Sequence, residues 1–320
     1  MKKKETKMEV KETEIQKNSL FEESWYLDAV APDSWKEMIV DEKGKKARFV
    51  YMTGKQWGFK SIHMPPLTPM LGIEFPASSR KRNTDLSNEK KFINQIIDQL
   101  PSNANIDISL HYSNEYILPW IWRGFHATPR FSYRIENINN VEDAFSNCQD
   151  ATRNKVHKAT PIIKIRDDIG IDVLNKLNSD IFERQGRKNP LSAELVNRLD
   201  ETLREHNACR FLCAEDKEGH IHGCLYFVFD NHTVFQLMGG GFQEYRQSGA
   251  VPLLVLEGIR FAYQCGLTYD FEGSMIEDIE QFNRNFGARP RVYYRVTRLN
   301  FPGSCMEVLK PSVKKLIGYR

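Results

Sequence analysis

The sequence predicts a mixed α/β protein of the α+β class, built as two tandem domains that each have a mostly antiparallel central sheet flanked by helices. The main observation is a repeat. The segment Pro129-Arg130-Phe131-Ser132-Tyr133-Arg134-Ile135 returns 161 residues later as Pro290-Arg291-Val292-Tyr293-Tyr294-Arg295-Val296. Both copies alternate polar and apolar residues as a half-buried strand does, and each proline stands where a strand can begin without losing a ladder donor. The repeat indicates a duplicated domain, against the alternative of a chance match between two short strands.

A second pair of similar segments supports the duplication. Residues 41–44 (Asp-Glu-Lys-Gly) and 216–219 (Asp-Lys-Glu-Gly) each join two apolar runs, as the turn of a β-hairpin does. A length of 320 residues also suits two domains at roughly 100 to 200 residues each. We therefore divide the chain into a charged, disordered tail (1–18), a first domain (19–150), a second domain (151–300) and a C-terminal segment (301–320) that packs back on the first domain.

In the first domain, the pattern predicts two helices, a hairpin and two further strands. Apolar residues recur on one helical face in 88–100, a helix that ends before Pro101. Three prolines in 60–69 forbid a helix or a central strand, so this stretch is predicted as an ordered loop. The other elements are a helix at 24–30, a hairpin at 35–52 and strands at 106–110 and 129–135.

In the second domain, helices precede and follow an antiparallel meander. The order of helices, meander, glycine-rich loop, helix and strand is what makes the domain α+β rather than a regular parallel α/β fold. Helices are predicted at 141–148 and 153–159, on either side of the domain boundary. The second domain continues with helices at 171–185 and 191–206, a three-stranded meander at 211–237, a helix at 251–265 and a strand at 268–271.

Composition restricts the function classes only loosely. The chain is 41% hydrophobic and 27% charged, with a formal charge of +3, so no general polyanion-binding surface is expected although local basic clusters can grip phosphates. Its six cysteines include no CxxC pair, which predicts free thiols of a reducing compartment and no zinc site. The charged start and the lack of about 18 consecutive apolar residues predict a cytoplasmic protein without membrane insertion.

The glycine-rich segment of the second domain is a candidate phosphate site. A strand that runs into close-approaching glycines and then a helix presents backbone N–H groups and a positive helix end. Pro252 suits the first turn of such a helix. The candidate binding residues are Gly239, Gly240, Gly241, Arg246, Gln247, Ser248, Gly249 and Ala250. The alternative is that Gly249 serves only as a cap residue.

Two carboxylates at the end of the strand predicted at 268–271 are a more specific indication of a functional site. Asp270 and Glu272 are two residues apart, so on a strand they point to the same face, and Gly273 allows a ligand or backbone to approach closely. This combination predicts the floor of a cleft. The alternative is that the two carboxylates pair with Arg284 or Arg246 and only hold the loop in shape.

At these residues the chain resembles the Fem family of aminoacyl transferases and the GNAT-like acetyltransferases grouped with them. The resemblance covers about residues 20–300 and is clearest after 150, from the basic segment 153–159 through the glycine loop to Asp270-Phe271-Glu272-Gly273-Ser274 and residues 286–288. GNAT coenzyme loops usually read Gln or Arg, two residues, Gly, one residue, then Gly or Ala. Arg246 and Gly249 fit this pattern, whereas Val251 stands at its last position.

The resemblance implies two tandem GNAT-like domains that face a cleft, the first on the acceptor side and the second on the donor side. It implies an N-acyltransferase in which an amine attacks an activated carbonyl directly, without a metal. The donor is acyl-coenzyme A or an aminoacyl-tRNA, and the acceptor is a small-molecule or peptidic amine. Asp270, Glu272 and Ser274 are the candidate catalytic residues, and backbone N–H groups of 239–241 are candidates for the oxyanion.

The predicted acceptor site combines Lys60 and His63 of the proline-rich loop with Arg153 and Lys155 of the basic helix. A solvated basic face is the alternative for the helix, because its cations do not form one stripe. A non-catalytic duplicated module that binds a nucleotide-linked or peptidic ligand remains the alternative function. The two functions differ in what replacement of Asp270 or Glu272 should do to turnover.

Overall fold

The computed structural model describes residues 15–56, 58–78, 81–136, 140–273 and 275–299. The predicted catalytic Ser274, the C-terminal segment 301–320 and most of the predicted tail lie outside the described residues. Of the tail, residues 15–18 are described, and the Gln16 amide donates a hydrogen bond to the Phe75 carbonyl at 2.9 Å.

The described chain alternates helices and strands along its whole length. The helices are α1 (Ser24–Val30), α2 (Arg82–Gln99), α3 (Leu118–Trp122), α4 (Val141–Ser146), α5 (Asp150–Ala159), α6 (Asp172–Arg184), α7 (Ala193–Glu205), α8 (Ala250–Gln264) and α9 (Glu277–Arg284), with short 3-10 helices at Leu20–Glu22 and Gln243–Tyr245. The strands are β1 (Trp35–Glu42), β2 (Lys45–Gln56), β3 (Phe59–His63), β4 (Ile73–Glu74), β5 (Asn105–Leu110), β6 (His126–Ile135), β7 (Lys164–Arg166), β8 (Cys209–Glu215), β9 (Ile221–Phe229), β10 (Thr233–Gly241), β11 (Thr268–Asp270) and β12 (Arg289–Arg298).

All these strands belong to one continuous sheet. Its order is β1-β2-β3-β5-β12-β6-β11-β10-β9-β8-β7, with β4 paired to β2. Most neighbours are antiparallel, and the parallel pairs between named strands are β3–β5 and β10–β11. The predicted mixed α/β class is confirmed. The two halves nevertheless share a sheet, because β12 of the second half lies between β5 and β6 of the first half, and β6 in turn pairs with β11 of the second half.

The two copies of the repeat pair with each other at the centre of this sheet. Strands β6 and β12 are antiparallel, and Phe131 lies opposite Val292, the residue 161 positions further along the chain. Two flanking pairs are related in the same way. Ile108 pairs with Val296, and the residues that correspond to them in the other copy, Tyr269 and Ile135, also pair with each other. The register therefore has a local twofold relationship between Phe131 and Val292, as the duplicated-domain interpretation predicts.

Three apolar cores cover the two faces of the sheet. The first lies under α1, α6 and α7 on one face of the second half, and the second lies under α5 and α8 on the other face. The third lies between α2 and the first-half strands. Helix α8 begins with Ala250, Val251 and Pro252, so the proline stands in the first turn as expected. None of the described helices is both long and apolar enough to cross a membrane.

Candidate active site where β10 and β11 part

Strands β10 and β11 form a wedge in the second half of the sheet. They are parallel partners only from Thr233–Thr268 to Phe235–Asp270. Beyond this point β11 ends, whereas β10 continues to Gly241 along β9, after a bulge between Gln236 and Met238. Bulges turn a strand away from its neighbour. Within the described residues, the edge of β10 that faces β11 therefore has no strand beside it after Phe235.

The corresponding place in the first half is closed by the chain itself. Strands β3 and β5 are parallel partners over three residue pairs, ending at His63–Asp107. Next to β5, the Leu71 amide donates to the Ser109 carbonyl at 2.9 Å, and the His111 amide donates to the Leu71 carbonyl at 2.7 Å. In the strand order β3 corresponds to β10 and β5 to β11, so the backbone at Leu71 lies along the counterpart of β11 and fills the gap that corresponds to the wedge.

Asp270, the last residue of β11, is a completely buried hydrogen-bonding hub. Its Oδ1 accepts hydrogen bonds from the Ser132 hydroxyl and, at 2.7 Å, from the Glu272 amide, while Oδ2 accepts one from the Tyr112 hydroxyl at 2.9 Å. The Arg134 Nε lies 3.4 Å from Oδ2. Burial raises the pKa of Asp270, and the Ser132 hydrogen bond and the Arg134 charge oppose this rise. With no exposed surface, this carboxylate holds the turn and does not face solvent.

Glu272 sits in the turn that Asp270 holds. Its φ of 58° is in the left-handed region, which a residue with a side chain adopts only under constraint. Its Oε1 is buried and has no hydrogen-bond partner in the described part of the chain. Burial, followed by the neighbouring Asp270, raises the pKa of Glu272 well above its usual value. A partly buried carboxyl group whose Oε1 has no hydrogen-bond partner among the described residues, next to the wedge, is the arrangement expected of a proton-transfer group.

Gly273 fixes the position of Glu272. Its φ is 64°, and a Cβ at this position would lie 2.1 Å from the Phe131 carbonyl oxygen of β6. Only glycine fits here. The expectation that both carboxylates point to one strand face assumed that Glu272 lies on the strand. Strand β11 ends at Asp270, so strand alternation does not set the direction of the Glu272 side chain. Nor do the two carboxylates pair with Arg284 or Arg246 as the alternative proposed, since Arg134 is the partner of Asp270 and Glu280 that of Arg284.

Two phenols border the Glu272 turn. The Tyr26 hydroxyl of α1 donates to the Leu67 carbonyl in the proline-rich loop, and the pKa of Tyr26 is raised by burial and by Glu272. Burial also raises the pKa of Tyr293 of β12, an effect that the nearby Arg130 opposes and that Glu272 and Asp270 reinforce. The proline-rich segment therefore contributes to this region through Leu67. Lys60 lies on β3, a strand inside the sheet, so the prediction of a loop from residue 60 is wrong: the prolines stand only at 65, 66 and 69, after the strand has ended.

The loop before α8 carries the predicted donor residues. Arg246 and Gln247 are exposed, while Gly249 and Ala250 are buried. Gly249 precedes the helix with φ 78°, and a Cβ there would lie 2.5 Å from the Lys155 carbonyl of α5, so packing requires glycine. Within the described residues, the amides of Gln247, Gly249 and Val251 have no hydrogen-bond partner. Free amides at a helix N-terminus suit a phosphate.

The glycines at the end of β10 stand on the strand and not in a loop. Gly239 pairs with Leu225, Gly240 with Cys224 and Gly241 with Gly223. A Cβ on Gly239 would lie 2.2 Å from the Cys224 carbonyl oxygen, which excludes any larger residue. These glycines let the strand run close to β9 beside the open edge of the wedge. A Cβ on Gly241 would lie 3.0 Å from the Val251 side chain, so the end of β10 lies beside the start of α8.

The four predicted acceptor residues do not come together. Lys60 is exposed at the start of β3, opposite Lys55, whereas His63 pairs with Asp107 on the first-half side of the sheet. The Arg153 Nη1 donates to the carbonyls of Ser146 at 2.8 Å and Cys148 at 2.6 Å, so this guanidinium is occupied in joining α4 to α5. The Lys155 side chain is exposed, and only its backbone reaches the donor loop.

One cluster in the described residues has the atoms of a metal site. Ligand atoms of Asp216, Glu218 and His220 lie within 4.8 Å of one another in the β8–β9 turn. The Asp216 Oδ2 also contacts His222 Nε2 at 3.0 Å, and the His222 ring stacks on Tyr245 with 4.0 Å between centroids. These contacts connect the hairpin turn to the start of the donor loop.

Several site residues escaped the sequence analysis. Tyr26 and Tyr112 come from elements with no chemical motif, so nothing in the sequence pointed to them. Ser132, Arg134 and Tyr293 lie inside the repeated segments, and their shared strand face was visible as alternate positions of that repeat. Once the repeat is read as a pair of strands, these polar residues mark the central face of the sheet.

Comparisons with known proteins agree with this geometry. Residues 153–278 match the model of an acetyltransferase (GNAT) domain. The structure of FemX is similar with a TM-score of 0.62 at 12% identity, over 85% of this chain and 90% of that one. The C-terminal domain (DUF2156) of a putative lysylphosphatidylglycerol synthetase from Agrobacterium fabrum is similar with a TM-score of 0.55 at 9% identity, over 92% and 94% of the two chains. L-PGS from Bacillus licheniformis gives 0.53 at 11% identity, over 92% of each chain.

Among curated proteins, none matches the sequence. At the identities above, structural similarity concerns the fold, and the family model places its match in the half that holds the open wedge. The resemblance inferred from the motifs is confirmed at the level of the fold: the chain shares the fold of FemX, and its residues 153–278 match the acetyltransferase (GNAT) domain model.

Proposed function

We propose that the protein is an N-acyltransferase that forms an amide on an amine-bearing acceptor, with acyl-coenzyme A as the donor in the β10–β11 wedge. One observation carries this proposal: the wedge is open in the second half and filled by Leu71 in the first. A twofold-related fold thus has one available donor site, and it lies in the half that matches the GNAT domain model.

The residues around the wedge fit such a donor. The free amides of Gln247, Gly249 and Val251 would face a pyrophosphate at the start of α8. The unpaired edge of β10 offers backbone groups to an extended chain in the manner of an added strand. Acyl-coenzyme A would supply the activated carbonyl: the amine forms the C–N bond as the thioester C–S bond breaks, and coenzyme A leaves as the thiol with the second proton of the amine. Those backbone amides of Gly239 to Gly241 that point away from β9 would stabilise the oxyanion.

Glu272 takes the proton in this proposal. At neutral pH an amine acceptor enters the site as an ammonium ion. Its positive charge beside the Glu272 carboxyl favours the ionised form of Glu272. The carboxylate then accepts a proton from the ammonium, which leaves the lone pair free for attack. Asp270 touches no acceptor and acts as a positioning residue, because its Oδ1 binds the Glu272 amide. The acceptor is a small-molecule or peptidic amine.

The decisive experiment is a calorimetric titration of the whole protein with acetyl-coenzyme A. Binding should weaken in Gly249→Ala, which fills the contact with Lys155, and in Arg246→Ala, and it should be unchanged in Arg260→Ala on the exposed later part of α8. A charged-tRNA mixture at low and moderate salt is titrated in parallel. Salt-sensitive tRNA binding without a coenzyme signal would replace the thioester donor by aminoacyl-tRNA. Silence from both would leave the non-catalytic ligand-binding module.

A further inference from the structure

Five arginines lie on one face of the two central strands. In the antiparallel register Arg134 is opposite Arg289, Ser132 is opposite Arg291, and Arg130 is opposite Tyr293, so their side chains share a face. This is also the face of Asp270, which pairs with Arg134. The five are Arg130 and Arg134 on β6, and Arg289, Arg291 and Arg295 on β12.

Carboxylates compensate only part of this charge. Arg134 has Asp270, Arg295 has Asp107, and Arg291 has Glu115 at 3.0 Å. In the described ranges, neither Arg130 nor Arg289 has a carboxylate within 4.0 Å, and the buried Arg130 Nε has no hydrogen-bond partner. A buried guanidinium N–H without an acceptor is costly, and an anionic ligand beside Arg130 would supply that acceptor.

Arg291 of this face lines a small cavity. A space of about 240 Å³ is lined by Tyr112, Glu115, Arg291, Tyr293 and their neighbours. The Arg291–Glu115 pair at its rim is largely exposed, with side chains 45% and 59% accessible, so an incoming anion can displace it at little cost. Tyr293, which lines the cavity, lies opposite Arg130 in the strand register and within electrostatic range of Arg130 and Glu272.

We propose that the acceptor amine carries an oxyanion, a carboxylate or a phosphate, which Arg130 binds together with Arg291 and the Tyr293 hydroxyl. This inference rests on the proposed acyltransferase function and names the acceptor class of the same site. An arginine fork matches the two oxygens of either group and fixes its orientation. Anchoring the anion in the cavity holds the amine of the same molecule on the Glu272 side of Tyr293.

The charge balance favours such a zwitterionic acceptor. Its ammonium end meets the carboxyl of Glu272, and its anionic end meets the cations that the protein leaves without carboxylates. A purely cationic amine would add positive charge to a face that already has an excess, whereas Asp270 is committed to the turn. Arg289, exposed and without an ionic partner among the described residues, extends the positive field toward solvent and guides anionic acceptors inward.

The test uses matched acceptor pairs that differ only in the anion. Acetyl transfer is measured for glycine against glycinamide and for O-phosphoethanolamine against ethanolamine. The enzymes compared are wild type, Arg130→Gln, Arg130→Lys and the control Arg123→Gln, which changes an exposed arginine at the end of α3. We expect Arg130→Gln to raise KM for the anionic member of the preferred pair about tenfold or more, with under about twofold change for the neutral member. Arg130→Lys should recover only part of the loss. The pair with the larger effect identifies carboxylate or phosphate.

A binding arm separates this inference from the proposed function. Inorganic phosphate and glutarate are titrated into the full chain by thermal shift, again with Arg130→Gln and Arg123→Gln. Stabilisation that disappears only in Arg130→Gln supports an oxyanion site. Equal effects of Arg130→Gln on charged and neutral acceptors, or anion binding that survives it, would overturn the inference while coenzyme binding still stood. If the wild-type protein showed no binding of acetyl-coenzyme A, the proposed acyltransferase function itself would be rejected.

Discussion

Phe131 and Val292 lie opposite each other at the centre of the sheet, and they occupy the same position in the two copies of the repeat. Their pairing makes the central strands equivalent, yet the two sides differ in chemistry. At the end of β11 the chain turns through Glu272 and Gly273, whereas at the end of β5 His111 is tied to Leu71. The candidate site therefore lies where the two halves of the sheet differ.

Replacing Glu272 by Gln should lower kcat by about 100-fold or more, because the proton acceptor is lost, while acetyl-coenzyme A binding is retained. In wild type, the raised pKa of Glu272 means that its base form appears only well above the usual range for a glutamate. The rate should thus rise with pH as Glu272 ionises, and this limb should be absent in the variant. Glu183→Gln, at an exposed position on α6, should keep both rate and profile. Full activity of Glu272→Gln would reject the role.

Gly273→Ala should destabilise the protein and remove activity, since the new Cβ collides with the Phe131 carbonyl oxygen in addition to the cost of a positive φ. Gly186 has a similar φ of 63° with no atom near its Cβ site, so Gly186→Ala measures the backbone cost alone. Urea unfolding should give about 1 kcal/mol for Gly186→Ala and clearly more, about 2 to 4 kcal/mol, for Gly273→Ala. Equal losses would mean that the turn is not held against β6.

Asp270→Asn should cost stability before it costs chemistry. The change removes the buried one of the two carboxylates that face Arg134, leaving the exposed Glu136 at 3.3 Å, and it weakens the bonds from Ser132 and the Glu272 amide, a loss of about 3 kcal/mol in the free energy of unfolding. Activity should fall through displacement of Glu272, in kcat more than in KM. Denaturant unfolding beside steady-state kinetics checks both parts. An unchanged unfolding midpoint with lost turnover would instead make Asp270 a catalytic group.

The pH dependence of stability should carry the signature of Glu22. This carboxyl is buried, bonded to Ser19 and close to Glu74, and its pKa is raised from 4.5 to about 8, chiefly by burial. Between those values the unfolded chain has released the proton and the folded chain keeps it, so stability falls as pH rises. The slope from this one group is about 1.4 kcal/mol per pH unit.

Glu22→Gln cannot release a proton, so urea unfolding at pH 5, 6.5 and 8 should show a smaller decrease than in wild type. The raised pKa values of Glu74 and Glu272 act in the same direction and leave a residual slope. Glu201→Gln, on the exposed face of α7, is the matched control and should keep the wild-type slope. A variant slope equal to that of wild type would show that Glu22 is ionised in the folded state.

The helices and strands could be predicted from the sequence better than the pairing of the strands. Alternation identified β6 and β12 as strands and assigned their faces, but a period of two does not specify which strand lies alongside, so the pairing of the two copies could not be foreseen. Asp270 and Glu272 were identified from their position before a glycine. Their separate roles depend on Ser132, Arg134 and Tyr112, which reach them from more than 130 positions away and leave no local signal.

The placement of β12 between β5 and β6 also constrains how the molecule is made. During synthesis, β5 emerges long before the strand that will pair with it, because the partners Ile108 and Val296 are 188 residues apart in the chain. Until the last described strand arrives, the first half has an open sheet edge, and β6 can pair only with β11. Such distant pairings are slow to form, so the chain completes its active face late, and partly made molecules expose a strand edge that invites aggregation.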